Sequence, residues 1–205
     1  MRVGVYGGSF DPIHNGHVAV ASAARDRGGL AQVLLVPAAA PPHKEGRVLA
    51  PAEHRLAMVV LAVEGRPGLE ASDLEIRRGG RSYTVDTLEE VRALSPPGAE
   101  VLLVIGSDTL PDLPQWKDIH GILARTRVLT IVRRGFARSA VEGLRGSFTA
   151  EEVGALAAGF LEIEPVDVSA TEVRERLRRG LRVDDLLPPA VAAYIARHGL
   201  YRSDP

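Results

Sequence analysis

Short apolar runs alternate along the chain with longer stretches in which apolar positions recur at helical spacing. Val3 to Tyr6 is the first run, broken by Gly7-Gly8 and followed by a loop. A helix is expected from Gly16 to Arg27, stopped by Gly28-Gly29, since glycine relieves the left-handed turn that ends a helix. Val33 to Val36 reads as a buried strand closed by Pro37, and a Pro-rich loop to Lys44 leads into a helix over Pro51 to Val63. Val101 to Ile105 and Val128 to Val132 are the next strands, with helices at Thr84 to Leu94 and Ile119 to Ala124. Leu161 to Ile163 reads as a last short strand, followed by helices at Ser169 to Arg179 and Pro189 to Arg197. Ala137 to Gly159 carries four glycines and fits either a helical insertion or a mobile excursion.

This order predicts an α/β fold: a doubly wound, Rossmann-like parallel sheet with right-handed crossovers and a short carboxyl-terminal helical appendage over about 165–205. Ligands of such sheets bind beyond the carboxyl ends of the strands. No internal repeat or linker divides the 205 residues, so one domain is expected. A net charge of −1 argues against a nucleic-acid partner, while leaving room for a small anionic ligand. The absence of cysteine excludes disulfides and thiolate chemistry. Met1 runs directly into a strand and no apolar run approaches membrane-spanning length, so we expect a cytoplasmic chain without a membrane partner. Homo-oligomerisation is left open.

The most informative segment is Gly7-Gly8-Ser9-Phe10-Asp11-Pro12-Ile13-His14-Asn15-Gly16-His17, set between a strand and a helix. Glycines there let backbone amides approach a ligand closely. With Asn15 as the expected N-cap, the free amides of the first helical turn would face an anion. His14 and His17, three residues apart, share one face if the turn is helical. Two histidines without a third ligand make a poor metal site, so no protein-held metal is expected. The segment lacks the Gly-Lys-Ser/Thr ending of a P-loop and does not fit Gly-x-Gly-x-x-Gly.

Gly8-Ser9-Phe10-Asp11-Pro12-Ile13-His14-Asn15-Gly16-His17 closely resembles the signature of the nucleotidyltransferase superfamily with its His-x-Gly-His motif, in the form found in bacterial nicotinate-mononucleotide adenylyltransferases. The resemblance implies that ATP and nicotinate mononucleotide are the substrates and that deamido-NAD and pyrophosphate are the products. It implies that His14 and His17 contact the ATP phosphates, that Gly8, Ser9, Phe10 and Gly16 help hold ATP, and that Mg2+ arrives with the nucleotide.

Further segments carry the resemblance. Pro41-Pro42-His43-Lys44 follows the second strand; Lys44 is a solvated loop lysine on local sequence and a substrate-loop residue by resemblance. Arg81 to Leu88 opens a helix with Ser82 or Thr84 as cap, and matches a Ser-Tyr-Thr-x-x-Thr-Leu pattern implying that Ser82, Tyr83 and Thr84 hold the nicotinate end, with the Thr84 amide on the carboxylate. Gly106 and Asp108 follow the best strand; Asp108 is equally an N-cap and, by resemblance, a ribose acceptor. Trp116, the single tryptophan, stands between polar neighbours and by resemblance stacks on the nicotinate ring, with Lys117 beside it.

Ser169 and Glu172 have capping-box spacing, and by resemblance Ser169, Thr171 and Arg174 also reach the ATP phosphates, Arg174 with a catalytic share. Val168, Ala170 and Val173 depart from the Ile-Ser-Ser-Thr-x-Ile-Arg pattern of the family. Two other readings compete: a sister transferase acting on nicotinamide mononucleotide or phosphopantetheine, and a nucleotide-binding sensor without catalysis.

Overall fold

A computed structural model describes residues 1–41, 48–133, 143–164 and 166–202. Its framework is a sheet of six parallel strands: β1 (Arg2–Gly8), β2 (Gln32–Pro37), β3 (Leu69–Ala71), β4 (Glu100–Gly106), β5 (Val128–Arg133) and β6 (Phe160–Ile163). The strands lie in the order β3-β2-β1-β4-β5-β6. The order reverses between β1 and β4, which opens a crevice beyond their carboxyl ends.

Among the described residues eight labelled helices flank the sheet, the last two after the final strand. They are α1 (Asn15–Gly28), α2 (Ala52–Val63), α3 (Leu74–Arg78), α4 (Thr84–Leu94), α5 (Ile119–Arg125), α6 (Ala150–Ala158), α7 (Ala170–Arg178) and α8 (Pro189–His198). A 3-10 helix, Ser107–Gln115, follows β4.

The central strands β1 and β4 are apolar on both faces because each face is covered by helices, while the edge strands expose Glu70 in β3 and Glu162 in β6. Alternate positions of β1 and β4 feed different layers: Val3, Val5, Val101, Leu103 and Ile105 pack with α3 to α6. Tyr6, Leu102 and Val104 pack with α1, α2, α7 and α8. Gly4 falls on the second face, where an added Cβ would meet Leu30 Cδ1 at 2.6 Å, so the residue must be small for Leu30 to close the layer. At the end of α1, Gly29 adopts φ 64° and its amide donates to the Arg25 carbonyl, the left-handed cap expected there.

The expected strands and helices are present, most of them longer by one or two residues at one or both ends, while α2 and α7 start a residue later than expected and α7 also ends a residue earlier. The structure adds β3 and α3, which three and five residues are too short to announce by periodicity, and the 3-10 helix Ser107–Gln115, whose Pro111 and Pro114 hide a helical signal. The 137–159 stretch resolves in its described part into helix α6, capped by Thr149 and Glu152, which carries Leu156 into the core. The expected appendage is built into the main core: Val173, Val183, Leu186, Leu187, Val191 and Ile195 are buried with α1 and α2. Among the described residues no helix is long and apolar enough to cross a membrane.

Candidate functional site

β1 delivers the chain to the crevice at Gly7-Gly8. The loop then turns inward at Phe10, whose φ is 44° and whose ring is buried against the edges of Tyr6 (5.6 Å between centroids) and His17 (5.0 Å). Phe10 therefore anchors the loop from below.

The start of α1 corrects one sequence expectation. His14, rather than Asn15, is the N-cap: its Nδ1 accepts the His17 amide at 3.4 Å, and His17 Nδ1 accepts the His14 amide at 3.3 Å. Asn15 is drawn elsewhere, its amide donating to the Leu186 carbonyl at 2.9 Å and its side chain to the Asp185 carbonyl at 3.2 Å. The first-turn amides of Asn15 and His17 are thus spent on protein partners.

The two imidazoles stack at 3.7 Å with 25° between their planes. With each Nδ1 acting as an acceptor, the neutral ring carries its proton on Nε2. This is a capping box built from two histidines, and it fixes both tautomers together. Burial lowers the pKa of His14 to about 4, so its neutral form prevails at physiological pH.

Two cavities meet at this loop. One, of about 390 Å³, is lined by His14, Gly16, His17, Gly106, Ser169 and Ala170, with Val20, Ile131, Ile163, Val166 and Val168 as apolar walls. The other, of about 280 Å³, is lined by Gly8, Glu75, Ser82, Tyr83, Thr84, Trp116 and Lys117, with Ala38, Pro41, Thr87, Thr109 and Asp112. Tyr6, Ser9 and Asp108 belong to both and form the wall between them. Burial, helped by the negative charge of Asp108, pushes the Tyr6 hydroxyl far up, so it stays a neutral donor.

In the first cavity, Gly16 lies under the His14 ring, where a Cβ would come within 3.1 Å. Asp108 folds back over Gly106, with Oδ1 2.4 Å from the place a Cβ would take, so a larger residue there would push the Asp108 carboxylate aside. Ser169 is the N-cap of α7 and accepts the Glu172 amide at 3.1 Å. Its capping box is half complete, since the Glu172 carboxylate turns to Arg176 at 2.6 Å.

Arg174 and Thr171 stand outside both linings. The Arg174 guanidinium donates to the Asp11 carbonyl at 2.5 Å and to the Thr171 hydroxyl at 3.1 Å, and is 3.8 Å from the Asp11 carboxylate. Gly8 lines the second cavity rather than the first.

In the second cavity, Tyr83 is the N-cap of α4 in place of Ser82 or Thr84, and makes no side-chain cap. Thr84 opens the helix, so its amide has no intrahelical acceptor. The Ser82 hydroxyl accepts the Ala39 amide at 2.9 Å. Lys117 sits 4.6 Å over the Tyr83 ring and donates to Asp86 at 3.0 Å. Trp116 packs against the apolar layer despite its polar neighbours. Lys44 lies outside the described residues.

Sequence reasoning missed Tyr6, Asp11, Arg55 and Glu75. Tyr6 was open to discovery as the last inward residue of a strand that ends in the crevice. Glu75 sits in the short α3, where no periodicity marks a face. It is buried, accepts the Thr87 hydroxyl at 2.5 Å, and burial raises its pKa against hydrogen bonds from Ser82 and Thr87.

A family model described as cytidylyltransferase-like matches residues 5–176. A protein of Gemmatimonas aurantiaca named "Probable nicotinate-nucleotide adenylyltransferase" is 42% identical over 205 residues, covering 100% of this chain and 94% of its own. One of the same name from Bordetella pertussis is 42% identical over 201 residues, covering 98% of each chain. Among solved structures, the Plasmodium falciparum nicotinic acid mononucleotide adenylyltransferase complexed with NaAD superposes with a TM-score of 0.72 at 20% identity. That match covers 98% of this chain and 97% of the other, a likeness of fold.

Proposed function

Because this chain belongs to the cytidylyltransferase-like family and, within it, to the nicotinate-nucleotide adenylyltransferases, we propose that the two cavities are the ATP and acceptor halves of one adenylyl-transfer site. The reaction moves AMP from ATP to nicotinate mononucleotide, giving deamido-NAD and pyrophosphate. The observation that carries the site assignment is the shared wall of Tyr6, Ser9 and Asp108, across which two phosphate-bearing ligands would meet.

An oxygen of the acceptor's phosphate attacks the α-phosphorus of ATP in line. The new P–O bond forms as the bond to the β-phosphate bridging oxygen breaks, and pyrophosphate carries away the electron pair. The protein contributes position and preorganised donors rather than a covalent intermediate. His14 and His17 present Nε2–H groups to the growing charge on the phosphates, and the capping box spares them reorganisation. The Ser169 hydroxyl, whose oxygen already accepts the Glu172 amide, keeps its proton for a phosphate oxygen. Arg174 lines neither cavity and spends two of its five N–H donors on Asp11 and Thr171, so in this reading its remaining donors serve the β- and γ-phosphates once the side chain shifts toward the nucleotide cavity. Lys44 adds a point charge in this reading.

On the acceptor side, Trp116 stacks on the pyridine ring, and the Thr84 amide at the amino end of α4 takes the carboxylate, supported by Ser82, Tyr83 and Lys117. A Mg2+ carried with ATP would supply charge neutralisation at the phosphates, with Asp108 the residue placed to help hold it. Among the described residues no three His, Asp or Glu side chains gather as a cage, and Asp108 is the carboxylate at the shared wall that suits an ion held mainly by phosphates. The chain acts as one domain over 1–205, in the cytoplasm.

Pyrophosphate release tests this reading, measured separately with nicotinate mononucleotide, nicotinamide mononucleotide and phosphopantetheine. Fast release with the first acceptor alone is expected. Faster release with another acceptor would discard the pocket assignment, and tight ATP binding without release would favour the sensor.

A further inference from the structure

Arg55 lies on α2 with 2% of its surface exposed, and its guanidinium is spent on main-chain carbonyls of three separate segments. Nε donates to Ala50 at 2.9 Å, Nη1 to Ser9 at 2.8 Å and Nη2 to Ala39 at 3.4 Å. Among the described residues it has no carboxylate within 4 Å. A buried guanidinium is costly unless its donors are satisfied, so these carbonyls account for its being tolerated there.

The three segments are not equivalent to the rest of the surface. Ser9 belongs to the wall between the two cavities, while Ala39 lies between Ala38 and Pro41 of the acceptor cavity. Ala39 is held through both of its main-chain polar groups, because its amide donates to the Ser82 hydroxyl. Asp11 reinforces the same junction: its carboxylate accepts the Ala50 amide at 3.1 Å and the Tyr201 hydroxyl at 2.8 Å. Arg55 itself lines neither cavity.

We propose that Arg55 is a positioning residue for adenylyl transfer, holding the Ser9 wall of the nucleotide cavity in register with the Ala38–Pro41 wall of the acceptor cavity. It thereby sets the line from attacking oxygen to α-phosphorus. The inference rests on the two-substrate reading of the site. A planar fork is required, because the three carbonyls are met by three separate nitrogens of the guanidinium, whereas the three N–H donors of lysine radiate from one nitrogen and cannot span the same three acceptors.

The test uses full-length Arg55→Lys and Arg55→Met beside the wild type, with turnover counted per site that binds a non-hydrolysable ATP analogue. Each cavity keeps its own contacts, so KM for ATP and for nicotinate mononucleotide should move by less than about threefold, while kcat falls on the order of tenfold or more through misalignment. Lysine should not rescue it. Hydrogen exchange, which needs no substrate, should quicken at the Ser9 and Ala39 segments together while α4 keeps its protection. Arg55→Lys, which retains charge and bulk, carries the comparison if the methionine variant fails to fold. Near-normal kcat in either variant, a loss confined to KM, or faster exchange in only one segment would overturn the proposal. A wild type silent with nicotinate mononucleotide would instead count against the functional reading, and the exchange experiment would still decide whether the clamp exists.

Discussion

The nucleotide cavity takes both of its histidines from a single helix start, four consecutive residues long, whereas the acceptor cavity gathers Ser9, Glu75, Ser82 to Thr84 and Trp116 from segments scattered over a hundred positions. In the first, the geometry that orients the donors also caps the helix, so local stability and chemistry share the same hydrogen bonds. In the second, no residue holds itself in place: Ser82 leans on Ala39 and Glu75, and Glu75 on Thr87. A histidine pair fixed within one helix start should fail sharply at single residues, and a set of residues leaning on distant partners by degrees.

The largest expected effect is on acid stability. The folded-state pKa of His14 lies near 4, below the usual value near 6.5, because burial penalises the imidazolium. As pH falls through 6.5 the unfolded chain takes up the proton first, so His14 leaves stability unchanged above 6.5 and lowers it progressively towards pH 4. The two values imply a loss of up to about 3 kcal/mol. Urea unfolding at pH 7.5 and pH 5 should show the decline, and His14→Asn, which keeps a capping side chain, should flatten it. An equally steep decline in the variant would assign the acid sensitivity to another group.

Removing His17 should come next, costing on the order of a hundredfold in turnover through loss of one transition-state donor. His14 still caps α1 in His17→Ala, so the melting temperature should move far less than the rate. Turnover close to normal would remove His17 from the chemistry.

A smaller and more selective effect is expected at Trp116. Trp116→Ala should raise KM for nicotinate mononucleotide on the order of tenfold and leave KM for ATP unchanged, because the indole lines only the acceptor cavity. A parallel rise in both constants would erase the division between the cavities.

How far the sequence foretold each cavity follows the same division. The strand ending at Gly8 and the pair His14 and His17 are neighbours in the chain, so spacing alone exposed them, though Asn15 looked the better cap. Its side chain is claimed by Asp185, a partner 170 positions away that no local pattern reveals. The acceptor residues Ser82 to Thr84 and Trp116 were reached only through resemblance, since a helix opening and a single tryptophan mean little by themselves. Arg55 and Asp11 escaped both routes because Arg55 reaches main-chain carbonyls of the Ser9 and Ala39 loops, and Asp11 reaches the Ala50 amide and the Tyr201 hydroxyl, partners that no local pattern reveals. Fold was more legible than site: buried parallel strands announce themselves as apolar runs, whereas three-residue β3, five-residue α3 and the Pro-containing 3-10 helix Ser107–Gln115 fell below that signal.

Two substrates meeting across one wall, with no covalent stop on the protein, is the central claim, and the stereochemistry of transfer tests it most directly. With ATP made chiral at the α-phosphorus by a sulfur substitution, a single in-line displacement predicts inversion in the dinucleotide product. Retention would mean that the adenylyl group passes through an enzyme-bound intermediate, and would contradict the account.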